Sequence, residues 1–281
     1  MATKKPAAST KKSAKKPAPS AKKTTTKVTT VKAASAPAAS AAASTTRFKF
    51  SRAPLLAASV AEFIGTFLLA SVILAASNQA LAVLFGAAAV VMTVGVMSGA
   101  HLNPALTVGA LATRRINLVR AVCYVVAQVL GALMALVALD AFVSAAPQVS
   151  EQAQAFGQAA PTLFSAPAIA AGSEWVVLAA ELLGTVVLAF AVAAGLRHGN
   201  GTASHALTYA GGLFVALFVA GTAAGYVGAA AILNPAIAAS LQALKFELWP
   251  ILVYVVTPLV GGVLGSALND LVDAESKKIS A

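Results

Sequence analysis

The sequence has little of what most enzymes and secreted domains depend on: it contains one cysteine, three histidines and few charged residues. The single cysteine, Cys123, excludes an internal disulfide framework and a metal site built from cysteines. Only 10% of the 281 residues are charged and 59% are hydrophobic, whereas about a quarter of the residues in soluble globular domains are charged. We therefore expect a membrane protein that is not an enzyme and that has no cofactor, catalytic residues or metal site.

Acidic residues are missing from the first 52 positions, which hold 11 lysines and two arginines. From Ala53 onward there are seven basic and nine acidic residues, so the basic character of the chain belongs to a tail. Residues 1–52 consist mainly of Ala, Lys, Pro, Ser and Thr, which predicts a disordered segment. Such a tail contacts anionic lipid or nucleic acid, is regulated by phosphorylation, or is a solvated segment that only sets orientation.

The body of the chain, residues 53–281, consists of apolar stretches separated by polar or Gly/Pro-rich turns. Each stretch is near the roughly 20 residues needed to cross a bilayer as a helix. The predicted transmembrane helices are about 55–77, 80–98, 117–142, 174–196, 206–225 and 249–271. All basic residues except Lys245 fall on one side of this topology, so the positive-inside rule places both termini in the cytosol. The plasma membrane is the default expectation for the target membrane.

The body contains an internal repeat, with repeat one at about 53–142 and repeat two at about 174–272. In each repeat the first span contains an Ala-Glu pair followed by Gly-Thr, and an Asn-Pro-Ala motif follows the second span. The repeated residues are Glu62 and Glu181, Asn103, Pro104 and Ala105, and Asn234, Pro235 and Ala236. Because each repeat has three crossings, the second copy lies upside down relative to the first. This inverted arrangement is typical of proteins with a functional site at the membrane midplane.

Each Asn-Pro-Ala motif begins a short apolar stretch, at about Pro104–Leu111 and Pro235–Leu244. At 1.5 Å per residue these stretches are roughly 12–15 Å long, which is half a bilayer. Asn is a favoured N-cap and Pro a favoured first helical residue, so both stretches are predicted to be half-helices. In an inverted repeat their positive N-terminal ends meet at the bilayer centre, where the two Asn amides can donate hydrogen bonds into a passage.

The stretch Ser98-Gly99-Ala100-His101-Leu102-Asn103-Pro104-Ala105-Leu106-Thr107, with its partner around Asn234, resembles the aquaporins, or major intrinsic proteins. The resemblance covers essentially all of residues 53–281 and excludes the tail. It implies an all-α membrane fold with six transmembrane helices and two half-helices, assembled as a homotetramer. It also implies passive permeation of water or small neutral solutes.

The same resemblance assigns roles to individual residues. Permeating molecules would donate hydrogen bonds to six backbone carbonyls, those of Gly99, Ala100, His101, Ala230, Ala231 and Ile232. Glu62 and Glu181 would brace the loops before the two motifs, although intramembrane carboxylates can also relay protons. His205, near the cytosolic end of the fifth span, is either a pH-sensitive gate or an ordinary interfacial histidine.

The largest departure from the family lies at the selectivity constriction. Most members have Arg directly after the second motif, and here Ile237 occupies that position. Ungapped counting from the two Asn residues assigns the other constriction positions to Val83, Thr222 and Ala231. The pair Phe85-Gly86 resembles an aromatic-Gly pair that the family places two residues earlier, so Phe85 is an alternative to Val83.

Three functions remain open at this point. The first is a passive channel with a constriction that lacks Arg. The second is an interaction protein that uses its basic tail on anionic lipid or nucleic acid and has a poorly conducting pore. The third is a transporter coupled to an ion gradient, since such transporters also have inverted repeats and broken helices.

Overall fold

The computed structural model describes residues 54–147, 149–197 and 201–279 of the chain. Those residues belong to one compact unit, Thr45–Ala281. The predicted basic tail, residues 1–52, lies outside the described residues.

The described residues form ten α-helices and no strands. The first repeat contains α1 (Leu55–Ala75), α2 (Ala80–Ser98), α3 (Pro104–Ala112) and α4 (Leu118–Ser144), and a surface helix, α5 (Glu151–Ala155), follows. The second contains α6 (Glu174–Arg197), α7 (Thr202–Gly225), α8 (Pro235–Ser240), α9 (Leu248–Ile251), a π-helical turn at Leu252–Val256 and α10 (Thr257–Ile279). Six of these segments, with α9 to α10 taken as one, are long and apolar enough to cross a membrane. The predicted fold class is therefore confirmed.

Helix packing follows the repeat. In the first repeat α1 packs against α2 and α4, and in the second α6 packs against α7 and α10. Each half-helix packs against the last span of the other repeat, α3 against α10 and α8 against α4, while α2 packs against α7. The two repeats are thus interlocked rather than placed side by side, and this brings both half-helices into the interior.

Glycines permit the close approach of these helices. A Cβ atom on Gly65 would overlap Leu102, and one on Gly184 would overlap Leu233, at equivalent places in the two repeats. Gly131 on α4 packs against the backbone of Phe63 on α1. Small residues at such crossings let backbones approach closely, as in membrane helix pairs generally.

Helix ends differ from the prediction by more than two residues at three places. The second half-helix stops at Ser240 instead of Leu244, because Gln242 adopts a left-handed φ of 57° that interrupts the helix. The helix α7 begins at Thr202, four residues before the predicted span. The last helix continues past residue 271 to Ile279, and Lys277 pairs with Asp273 one turn away at 2.6 Å.

Candidate functional site: paired half-helices at the centre of the bundle

Two asparagines cap the half-helices. The Asn103 Oδ1 accepts a hydrogen bond from the Ala105 N–H at 2.8 Å, and the Asn234 Oδ1 accepts one from the Ala236 N–H at 3.0 Å. Both Asn residues have extended backbone, and a proline occupies the next position in each helix. This is the geometry expected of an Asn N-cap followed by Pro at the first helical position.

The same two side chains connect the repeats. The Asn103 Nδ2 donates to the Leu233 carbonyl at 2.9 Å, and the Asn234 Nδ2 donates to the Leu102 carbonyl at 2.9 Å. Each amide therefore bonds to the residue directly before the other asparagine. The structure thus brings the two predicted motifs together, N-terminus to N-terminus, and both asparagines are buried.

The loops before the motifs have strained backbone. Ala100, Leu102 and Leu233 have φ values of 48°, 52° and 62°, in the left-handed region that non-glycine residues rarely adopt. Each such residue costs about 1–3 kcal/mol and persists only where the surroundings fix it. Strain of this kind at equivalent places in both repeats indicates a functional loop.

Two buried carboxylates hold these loops. Glu62 accepts hydrogen bonds from the N–H groups of His101 and Leu102, at 2.9 and 2.7 Å. Glu181 accepts from the N–H groups of Ile232 and Leu233, at 2.6 and 2.8 Å. Each carboxylate therefore fixes two successive backbone amides next to a motif.

The carboxylate in repeat one has an additional polar partner. Gln128 on α4 donates its Nε2 to Glu62 at 2.7 Å and to the Thr107 Oγ1 at 2.9 Å. Pro258 occupies the equivalent position in repeat two, so it cannot donate to Glu181. His101 packs in the same loop, with its Nδ1 3.2 Å from Thr107 and its ring edge-on to Tyr124.

Four of the six predicted pore carbonyls accept hydrogen bonds from side chains of other segments. In repeat one His205 Nε2 lies 3.0 Å from the Gly99 carbonyl, and the Tyr209 hydroxyl donates to the His101 carbonyl at 3.2 Å. In repeat two the Tyr254 hydroxyl donates to the Ala230 carbonyl at 3.3 Å. The fourth is Ala231, whose carbonyl accepts from the Asn78 Nδ2 at 3.0 Å.

Sequence reasoning missed Tyr209, Tyr254 and Asn78. It left His205 as either a pH-sensitive gate or an interfacial histidine, and the structure places this residue in the interior. The internal repeat contained a signal for one of these residues, Tyr254. Tyr124 and Tyr254 each lie four residues before equivalent positions, Gln128 and Pro258, and the Tyr124 hydroxyl donates to the Ser98 carbonyl at 2.9 Å. Asn78 lies in the short turn between α1 and α2, and it bonds to a residue 153 positions away, so no local pattern pointed to it.

Three of the predicted constriction residues are buried: Val83, Ala231 and Ile237 are 0%, 2% and 1% exposed. Phe85 is 68% exposed, so Val83 is the residue of that pair that faces the interior. The structure does not bring Thr222 to this set. Its side chain is exposed, and it lies on the face of α7 opposite the buried stripe that contains Ala220 and Ala224.

The described residues can also be compared with the side-chain groups that bind metal ions in proteins. Within residues 54–147, 149–197 and 201–279, no group of three or more His, Cys, Asp or Glu side chains could hold a metal ion. The buried polar groups around the motifs are instead amides, carbonyls, carboxylates, hydroxyls and imidazoles that hydrogen-bond one another.

Comparisons with known proteins agree on one family. Residues 46–269 match the family model of the major intrinsic proteins. The chain is 34% identical over 220 residues to the glycerol uptake facilitator protein-like 6 of Lactiplantibacillus plantarum, covering 74% of this chain and 94% of that protein. It is 30% identical over 189 residues to aquaporin-1 of Sus scrofa, covering 66% of this chain and 63% of that protein.

A solved structure shows the same fold. The aquaglyceroporin from Plasmodium falciparum aligns with a TM-score of 0.56, covering 77% of this chain and 96% of that chain at 19% identity.

Proposed function

The chain belongs to the major intrinsic protein family, whose members are channels and not enzymes, and we propose that it conducts water and small neutral solutes without an energy source. One observation carries the proposal: the reciprocal hydrogen bonds of Asn103 and Asn234, which join two half-helix N-termini in the interior. Such a junction can bind a permeating molecule, because each side-chain amide carries a second N–H that can donate a hydrogen bond to it.

Exclusion of ions follows from the same junction. The N-terminus of a helix carries a partial positive charge, and two of them converge at Asn103 and Asn234. A cation that enters this region loses hydration water and is repelled by the positive potential. A neutral molecule that forms hydrogen bonds is not repelled. The Glu62 and Glu181 carboxylates act here as braces for the strained loops, since each accepts two backbone N–H groups.

Selectivity depends on a constriction without Arg. We assign this constriction to the buried residues Val83, Ala231 and Ile237 and leave the exposed Thr222 outside it. An Arg after the second motif would narrow the pore and repel cations through its charge. With Ile237 in its place the constriction is less polar, which favours modest water permeability and passage of neutral solutes larger than water, such as glycerol, urea or peroxide.

Assembly and orientation are proposed from the family and from the charges. We expect a homotetramer with one pore in each protomer and exposed apolar helix faces that contact lipid or neighbouring protomers. Arg114, Arg115, Arg120, Lys277 and Lys278 all lie on the side predicted to face the cytosol, so both termini are assigned to that side. The plasma membrane remains the default target.

The basic tail suggests an additional partner. Its 11 lysines and two arginines, with no acidic residue, would attract anionic lipid headgroups at the cytosolic surface, or nucleic acid. An interaction protein with a poorly conducting pore is thus the second candidate function. A gradient-coupled transporter is disfavoured, because the two buried carboxylates are engaged with backbone amides.

Stopped-flow light scattering on proteoliposomes tests the proposed function. We expect osmotic water flux above that of empty vesicles, flux that rises linearly with solute gradient, and no dependence on an imposed proton or sodium gradient. Saturable, gradient-dependent uptake would indicate a transporter. Full-length protein that conducts nothing, but binds anionic vesicles in a manner that deletion of residues 1–46 abolishes, would favour the interaction protein.

A further inference from the structure

We propose that Asn78 is a specificity-determining residue of the constriction, and that its side-chain amide supplies the polar group that Ile237 lacks. The inference rests on the proposed function, because it concerns the selectivity of the same pore. The residue lies in the turn that connects α1 to α2, far in sequence from both Asn-Pro-Ala motifs.

The backbone of this turn fixes the direction of the Asn78 side chain. Asn78 has a φ of 55°, in the left-handed region that Asn tolerates better than most residues. Its N–H donates to the Ile73 carbonyl at 3.0 Å, and the Gln79 N–H donates to the Ala76 carbonyl at 3.0 Å. The position of the side chain is therefore set by the end of α1.

The Asn78 amide reaches the loop that precedes the second motif. Its Nδ2 donates to the Ala231 carbonyl at 3.0 Å, between residues 153 positions apart in sequence. Ala231 is both a predicted pore carbonyl and one of the buried constriction residues. Asn78 itself is half-buried, whereas its partner Ala231 is buried.

The connection between α4 and α6 is anchored near the same end of the bundle. The Phe164 N–H donates to the Leu74 carbonyl at the end of α1, at 3.2 Å, and the Ala166 N–H donates to the Leu241 carbonyl just after α8, at 3.0 Å. Segments from both repeats thus meet around the turn that carries Asn78. These two bonds connect the end of α1, where the turn begins, and the end of α8 to one connecting segment.

The chemistry of the amide suggests which solutes it favours. Beyond its bond to Ala231, the side chain has a second N–H and an oxygen that can accept. The named constriction side chains, Val83, Ala231 and Ile237, have no hydrogen-bonding groups. A solute that both donates and accepts, such as a small polyol or urea, would therefore exchange hydrogen bonds with Asn78, and a neutral amide would not repel or attract ions by charge.

The test compares two substitutions in full-length protein reconstituted into proteoliposomes. Asn78→Gly removes the amide and keeps a residue that accepts positive φ. Ser77→Gly is the matched control, because Ser77 is the adjacent exposed residue with a similar φ of 51°. Asn78→Asp provides a second variant, since Asp also tolerates this φ but cannot donate to the Ala231 carbonyl.

We expect Asn78→Gly and Asn78→Asp to lower the ratio of glycerol or urea permeability to water permeability by about fivefold, the effect of one hydrogen bond. Ser77→Gly should leave the ratio unchanged. An unchanged ratio in both Asn78 variants, or a parallel loss of water and solute flux as expected for a purely structural turn, would overturn the inference. Wild-type protein that conducts neither water nor solute would overturn the proposed function instead, which separates the two failures.

Discussion

Asn103 and Asn234 bond to each other's loops through two hydrogen bonds of equal length, 2.9 Å. Each asparagine also caps the half-helix of its own repeat. One side chain therefore joins this helix N-terminus to the carbonyl of a leucine with left-handed backbone in the other repeat. The oxygen and the nitrogen of each amide therefore have separate structural tasks.

Substitution by Asp separates these two tasks. In Asn234→Asp the cap to Ala236 remains, but the bond to the Leu102 carbonyl is lost and an oxygen faces an oxygen. We expect a loss of about 1–3 kcal/mol in stability, the cost of an unsatisfied buried group, and a leak of cations or protons because a negative charge replaces a donor at the junction. Thermal unfolding in detergent and ion-leak assays in vesicles measure both effects, and Asn103→Asp should behave alike.

A control is available at another helix end. Asn117 caps α4 by accepting from the Arg120 N–H at 2.9 Å, and it is exposed. Asn117→Asp should leave stability and ion tightness unchanged. If Asn103→Asp and Asn234→Asp also fold and conduct as the wild type does, the two asparagines do not line a pore.

Replacement of the brace in repeat two tests the role of the carboxylates. Glu181→Gln keeps one oxygen but turns an NH2 group toward a backbone N–H of Ile232 or Leu233. We expect a loss of about 1–3 kcal/mol in unfolding free energy, with water flux independent of the proton gradient in both proteins. Glu247→Gln, at an exposed position before α9, should change neither quantity.

A proton relay would give a different result for the same variant. Stability would be preserved, and a dependence of wild-type flux on the proton gradient would disappear in Glu181→Gln. That outcome would reject the bracing role.

The half-helix of repeat one depends on a glycine of α10. A Cβ atom on Gly262 would overlap the Ala105 carbonyl, in the first turn of α3. Gly262→Ala should therefore displace α3 and cost about 1–3 kcal/mol, the usual penalty of overpacking, with reduced water flux. Gly211→Ala is the matched control, since a Cβ there meets no atom within 4 Å, and it should unfold at the same or a higher temperature. Equal stability of the two variants would contradict this packing.

The sequence predicted the spans and the half-helices because hydropathy and the Asn-Pro-Ala pattern are local signals. It failed where a helix continues in polar residues: α10 extends to Ile279 through Lys277, which pairs with Asp273. A span predicted from hydropathy ends at the first charged residues. The α-helix itself can continue beyond them, because ion pairs between residues i and i+4 stabilise it.

The contacts of the site were less predictable. Thr222 was assigned by counting residues, and counting cannot detect how α7 is rotated about its axis. Tyr209 and Asn78 bond to carbonyls 108 and 153 positions away. Such pairs are fixed by the packing of whole helices, so no local pattern reveals them.

The ratio of glycerol to water permeability in wild type and Ile237→Arg tests the central claim most directly. Ile237→Leu serves as the control, because it keeps an apolar side chain of equal volume at this buried position. Unfolding temperature and elution volume identify the variants that fold.

The account predicts modest water flux with measurable glycerol flux in wild type, and a ratio that falls by about tenfold in Ile237→Arg, at the low end of steric discrimination between similar molecules. Ile237→Leu should keep the wild-type ratio. Wild-type protein that passes water alone at a high rate, or a folded Ile237→Arg with an unchanged ratio, would contradict a selectivity constriction at Ile237.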